Sequence, residues 1–220
     1  MYKLAIFDFD GTLVDSAPGI VDVMRDIVGH YDLPNDTFQA WRDLIGVPLM
    51  KQMEIIFPTR DEEFHLKVAN HYRAIYDTRV LEICPPFPGL TNMLAQLEEA
   101  KVRMTIASSK RRNIIEPVLE HHKISWYFDV VVGQTDVSNH KPHPESVHFI
   151  VNKLDIPHHE VVVIGDSSYD LQMARNAGVD AIGVTTGIHT REILAQSEPL
   201  HIVDGLDQVL PLILNGRMQH

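Results

Sequence analysis

Two aspartates one residue apart, Asp8 and Asp10, follow the apolar run Leu4-Ala5-Ile6-Phe7 and precede Gly11-Thr12. The run reads as a buried parallel strand. Alternate residues of a strand face the same way, so the two carboxylates converge near its carboxyl end, and Gly11 permits a sharp turn beyond them. In open α/β sheets ligands bind at that end of the strands. Two carboxylates about 4 Å apart repel by about 4 kcal/mol at an effective dielectric near 20 unless a cation joins them. A hard cation such as Mg²⁺ suits such an oxygen site. Taken alone, the same residues also describe a plain Asp-Gly turn.

Three further segments displace that plainer reading. Val102 to Ala107 is a second apolar strand candidate and runs into Ser108-Ser109-Lys110. Asn139-His140-Lys141-Pro142-His143-Pro144 sets a lysine before a double-proline helix start. Val161-Val162-Val163-Ile164 is a third buried strand, and it leads into Gly165-Asp166-Ser167-Ser168-Tyr169-Asp170. Each polar group stands at a strand's carboxyl end or at a helix start, and a parallel sheet lays those ends side by side. Acid pair, hydroxyl, lysine and second acid pair, in this order, resemble the four motifs of the haloacid dehalogenase-like hydrolases. The resemblance runs from residue 4 to about 196. Asp-Gly-Thr-Leu-Val-Asp-Ser, Lys-Pro-His-Pro-Glu and Gly-Asp-Ser are similar to the phosphoglycolate phosphatase-like subgroup, in which a helical cap lies between the first two motifs.

The resemblance implies roles. Asp8 would be the nucleophile, attacking phosphorus in line to form an aspartyl-phosphate. Asp10 would protonate the departing oxygen and then activate water. A Mg²⁺ site would take in Asp8, the backbone carbonyl of Phe9, Asp10, Asp166 and Asp170. Within it Asp10 would be held off the ion for proton transfer, and Asp170 would ligate through water or anchor Lys141. Gly11, Ser108, the Ser109 amide and Lys141 would contact substrate, the lysine supplying the positive charge that lets phosphate approach carboxylates. The implied activity is a Mg²⁺-dependent phosphatase acting on a small phosphate monoester of the phosphoglycolate type. Pyrophosphatase, sugar-phosphate phosphatase and phosphosugar mutase are its neighbours.

Asp10 argues against carbon–halogen and phosphonate chemistry, whose enzymes lack that acid. Lys51 and Lys67, in the expected cap, therefore read as solvated helix charges. Arg42 and Arg73 read as a solvated helix face, with contact to a substrate carboxylate on lid closure as the alternative. A phospho-accepting receiver domain of signalling proteins is a rival from another class. Its phosphorylated aspartate ends a middle strand, whereas the middle strands here end in Ser108 and Gly133. No glycine-rich nucleotide loop follows a strand.

These groups need a scaffold of strands. From residue 88 onward apolar strands alternate with helical stripes such as Leu90, Met93, Leu94, Leu97 and Ile114, Ile115, Val118, Leu119. That alternation predicts a doubly wound, mostly parallel sheet with helices on both faces, a Rossmann-like α/β core. The roughly 70 residues between the first strand and this series are too many for a loop and read as helices. One starts at Ser16 as N-cap, and a second runs from about Asp36 to Ile45. The core is expected over 1–14 and 86–220 and a helical cap over 15–85, with Leu13–Asp15 and Pro85–Phe87 as hinges. A net charge of −11 opposes nucleic acid and anionic membranes as partners. A small phosphorylated metabolite is the expected partner, for a monomer or homodimer. One cysteine, Cys84, and an amino terminus without a signal-like succession suit the cytoplasm. The 13 histidines read as surface residues rather than as a metal site.

Overall fold

A computed structural model describes residues 1–216, and residues 217–220 of the expected core lie outside the described residues. The chain opens with β1 (Leu4–Phe7) and then runs through four helices, α1 (Ala17–His30), α2 (Asn35–Arg42), α3 (Leu49–Ile56) and α4 (Glu62–Ile83). Strands and helices then alternate: α5 (Leu90–Glu99), β2 (Arg103–Ala107), α6 (Arg112–His121), β3 (Val130–Val132), α7 (Glu145–Leu154) and β4 (Val161–Gly165). The series closes with α8 (Ser168–Ala177), β5 (Asp180–Val184), α9 (Arg191–Ala195), β6 (His201–Val203) and α10 (Leu206–Asn215).

The strands form one parallel sheet in the order β3-β2-β1-β4-β5-β6. The two motif-bearing strands β1 and β4 are therefore neighbours at its centre, where the strand order reverses and doubly wound sheets bind ligands. Phe7 pairs with Ile106 on one side and Ile164 on the other, so the loops after β1, β2 and β4 leave the sheet at one level. Alternate residues supply two apolar layers. Ala5, Phe7, Val162 and Ile164 join one, and Leu4, Ile6, Val161 and Val163 join the other. A strand buried on both faces is a continuous apolar run, as the sequence pattern predicts.

The helices α1 to α4 extend the first layer, because Met24, Trp41, Met53, Val68 and Tyr72 belong to the same buried cluster as Phe7. Trp41 donates from Nε1 to Gln52 Oε1 at 2.6 Å, and Gln52 donates to the Val47 carbonyl at 2.7 Å, joining α2 to α3. The two segments that tether these helices pair with each other: Asp15 N–H donates to Pro85 O at 2.8 Å and Phe87 N–H to Leu13 O at 3.1 Å.

Two local expectations are corrected. α2 ends at Arg42 rather than Ile45, because Leu44 and Ile45 donate three residues back, to Trp41 and Arg42, and the chain tightens out of the α-helix. Ser16 does precede α1, but its backbone is already near-helical (φ −89°, ψ −14°) and its hydroxyl makes no capping bond. A side-chain cap needs an extended N-cap backbone. No described helix is long and apolar enough to cross a membrane.

Candidate active site

Asp8 continues β1 by donating its N–H to the Ile164 carbonyl at 2.9 Å. The chain then turns back sharply. Gly11 adopts φ +73°, which glycine reaches without strain, and its N–H donates to Val14 O at 2.9 Å. Inside that turn the Phe9 carbonyl accepts from Leu13 N–H at 2.9 Å and Val14 N–H at 3.2 Å. Both its lone pairs are engaged, so the expected metal ligand at Phe9 is corrected: that oxygen holds the turn. The Asp10 carbonyl accepts no hydrogen bond from a described backbone group.

Lys141, arriving from the loop before α7, donates from Nζ to Asp8 Oδ1 at 2.7 Å and to Asp170 Oδ1 at 2.5 Å. All three groups are nearly inaccessible to solvent. The other oxygen of Asp170 accepts from the backbone N–H and the hydroxyl of Ser167, at 3.1 and 2.6 Å, in a capping box that starts α8. With both oxygens committed, Asp170 anchors Lys141, one of the two roles the motif allows. Burial alone would push the Lys141 ammonium down, and the carboxylates of Asp170 and Asp8 overcome this and raise its pKa.

Asp166 closes the cluster from the end of β4. Its Oδ1 accepts from the Thr12 hydroxyl at 3.1 Å and its Oδ2 from Ile188 N–H at 3.3 Å. Thr186 donates to the Gly11 carbonyl at 2.6 Å, fixing the loop after β5 against the loop after β1. A Cβ on Gly187 would lie 1.7 Å from Asp166 Oδ2, so only glycine passes there. Burial raises the Asp8 pKa to about 7, against the pull of Lys141 and with the repulsion of Asp170. Burial, Asp8 and Asp170 likewise lift Asp166 well above the usual carboxylate value.

Carboxylate oxygens of Asp8, Asp166 and Asp170 lie within 4.8 Å of one another. Three acids against one ammonium leave excess negative charge, and the donor set is all oxygen. Both features fit a hard divalent cation. The Asp10 side chain is not among these converging groups. Its Oδ1 accepts instead from Lys110 Nζ at 2.7 Å.

The loop after β2 brings the hydroxyls. Ser108 Oγ accepts from Lys110 N–H at 3.2 Å. Ser109 Oγ is buried with no partner, an orphaned donor that suits an incoming phosphate oxygen. Lys110 also donates to the Tyr76 hydroxyl of α4 at 2.5 Å, and Arg111 pairs with Asp77 through contacts of 2.9 and 2.6 Å. Consecutive residues of the sheet side thus hold consecutive residues of a helix 34 positions away. Sequence reasoning missed Lys110, Thr12, Tyr76 and Gly187. Lys110 had a signal, its place beside Ser108-Ser109; Tyr76 had none.

Arg42 is exposed, as expected, whereas Arg73 is half-buried and lines a cavity of about 110 Å³ between the helices and the Ser109–Arg111 loop. Lys51 pairs with Glu54 on its own helix, and Lys67 lies over the Tyr31 ring. Cys84 is buried, its thiol 3.1 Å from the Tyr76 hydroxyl.

Comparisons with known proteins agree with this geometry. A sequence profile of the haloacid dehalogenase-like hydrolases matches residues 5–184. Probable phosphatase IndB of Dickeya dadantii is 37% identical over 96% of this chain and 93% of its own. A phosphoglycolate phosphatase of Salmonella typhi is 29% identical over 94% of this chain and 90% of its own. The crystal structure of a predicted phosphatase from Clostridium acetobutylicum superposes with a TM-score of 0.86 at 26% identity, covering 98% of this chain and 99% of that one. The motifs, the sheet that gathers them and these relatives place the chain among the haloacid dehalogenase-like hydrolases, in the phosphoglycolate phosphatase-like subgroup, as a phosphatase.

Proposed function

We propose that the protein is a Mg²⁺-dependent phosphatase that hydrolyses a small-molecule phosphate monoester through an aspartyl-phosphate on Asp8. The observation that supports this reading is the separation of the two acids of one turn onto different partners. Asp8 is held by Lys141 beside Asp166, while Asp10, two residues on, is held by Lys110 outside the acid cluster.

Asp8 and Asp166 would hold the ion, with the Asp10 carbonyl as the backbone oxygen and Asp170 behind Lys141. When bound, Mg²⁺ neutralises charge on the phosphoryl oxygens and on the acids around them. Lys141 fixes Asp8 Oδ1, leaving Oδ2 to attack phosphorus. As the Oδ2–P bond forms and the ester P–O bond breaks, Asp10 gives its proton to the departing oxygen. Asp10, now a carboxylate beside Lys110, then takes a proton from water. That water attacks phosphorus, the bond to Asp8 breaks, and inorganic phosphate leaves with both acids restored. Ser108 and Ser109 offer hydroxyls to the phosphoryl oxygens throughout.

The relatives named phosphoglycolate phosphatase make phosphoglycolate the reference ester. Residues 15–85 would act as a cap that closes over the site and excludes water. Rapid quench with purified protein, Mg²⁺ and a monoester panel tests the mechanism. Accumulation of an acyl-phosphate on the Asp8 peptide is expected. Phosphate release with no such adduct, and with the rate kept in Asp8→Asn, would overturn it.

A further inference from the structure

The cavity beside Asp10 is built with two unlike ends. Asp10, Ser109 and Lys110 form one end, where a phosphoryl group would react. Most of the remaining wall is apolar: Ile20 and Met24 of α1, Ile45 and Val47 between α2 and α3, Leu49 of α3, and the Tyr72 ring of α4. Tyr72 stacks on Tyr76 at 5.6 Å and 13° between planes. The charges nearby are mostly spent on one another, Lys110 on Asp10 and Arg111 on Asp77. Arg73 is held by the Asn70 side-chain oxygen at 3.0 Å. A volume of about 110 Å³ is of the order that holds one small ring or a short branched chain in an apolar chamber.

We propose that this chamber selects a phosphate monoester whose body is compact and apolar, in preference to phosphoglycolate. The proposal rests on the phosphatase reading and narrows its substrate class. A carboxymethyl body would leave Ile20, Met24, Ile45 and Leu49 facing a charged group. An apolar body would release water from those walls and gain about fourfold in affinity per buried methylene.

The test is a series of alkyl esters with like leaving groups, namely methyl, isobutyl and benzyl phosphate beside phosphoglycolate, each measured as kcat/KM in Mg²⁺. Isobutyl phosphate is expected to exceed methyl phosphate on the order of fiftyfold, from its three extra carbons. It should also exceed phosphoglycolate. Calorimetric affinities of isobutylphosphonate and methylphosphonate, which are not turned over, should follow the same ratio. Leu49→Asn and Val47→Asn, at half-buried positions, should compress the ratio, and Arg73→Met should leave it in place. A flat series, or phosphoglycolate as the best ester with its preference lost in Arg73→Met, would overturn the apolar chamber alone. Hydrolysis of no ester, with the phosphonate ratio intact, would overturn the monoester reading and leave the chamber standing.

Discussion

Lys110 donates to Asp10 across 2.7 Å, joining residues 100 positions apart. The same ammonium reaches the Tyr76 hydroxyl and lies 4.4 Å from the centre of its ring. Burial, and then the nearby charge of Asp10, keep the Tyr76 phenol well above its ordinary pKa, so it stays neutral and can accept that hydrogen bond. One side chain therefore connects Asp10, the proposed proton-transfer acid, to α4.

Lys110→Met should act on turnover rather than on binding. Loss of a fixed orientation at Asp10 is expected to lower kcat by about tenfold to a hundredfold, the scale of a misplacement near 1 Å. KM for a small ester should change far less. A fall in KM-linked binding with kcat intact would show that Lys110 serves substrate affinity instead.

Asp8→Asn should cost on the order of 10⁴-fold or more in kcat, as removal of a covalent nucleophile does. The fold should survive. Because burial disfavours the ionised Asp8 carboxylate, the variant's thermal midpoint in chelator at pH 8 should equal or exceed that of the parent. A marked drop would mean that the Lys141–Asp8 pair contributes more to stability than the buried charge costs.

The acid cluster also sets a pH dependence. Asp8 titrates near 7 in the fold against an ordinary value of 3.8, so the native state binds its proton more tightly than the unfolded chain. That stabilisation is complete below 3.8 and is lost as pH rises through 7. In chelator the thermal midpoint should therefore fall between pH 5 and pH 8. Mg²⁺ should raise it more at pH 8 than at pH 5, since more of the cluster is then ionised. Scanning calorimetry with and without Mg²⁺ reads both, and a shift independent of pH would place the ion elsewhere.

Gly187→Ala would drive a methyl group into Asp166. Overpacking of this kind typically costs about 1–3 kcal/mol of stability. Displacing a carboxylate of the proposed metal site should raise the Mg²⁺ concentration for half-maximal activity by about tenfold to a hundredfold. Gly29→Ala in α1, where nothing lies within 4 Å of the added carbon, is the control and should be neutral or mildly stabilising. Equal Mg²⁺ dependence in both variants would remove Gly187 from the site.

Much of this arrangement is readable in the chain before folding. Runs such as Leu4–Phe7 and Val161–Ile164 carry the central strands because a strand buried on both faces has no polar alternation to hide it. Asp8, Lys141, Asp166 and Asp170 stand at strand ends or helix starts, where type and order together are informative. What escaped depends on backbone closure and on distant elements meeting. The Phe9 carbonyl looked available until the turn brought Leu13 and Val14 onto it. Tyr76 lies in a helix whose stripe of Phe64, Val68 and Tyr72 signals only packing, and nothing local says that its hydroxyl meets Lys110. Gly187 is one glycine among 12, distinguished only by what lies 1.7 Å from its missing side chain. The early end of α2 is equally invisible, since residues 43–45 have no strong helix breaker before Gly46.

Asp166 is walled by backbone from two remote stretches, Gly11 after the first strand and Gly187-Ile188 after the fifth. A nascent chain released only as far as residue 184 would already own every acid of the cluster yet lack one side of its seat. Capture of the proposed ion should thus lag behind synthesis until the loop after β5 closes over Asp166. Affinity for the proposed ion becomes a gauge of how completely this polypeptide has been assembled.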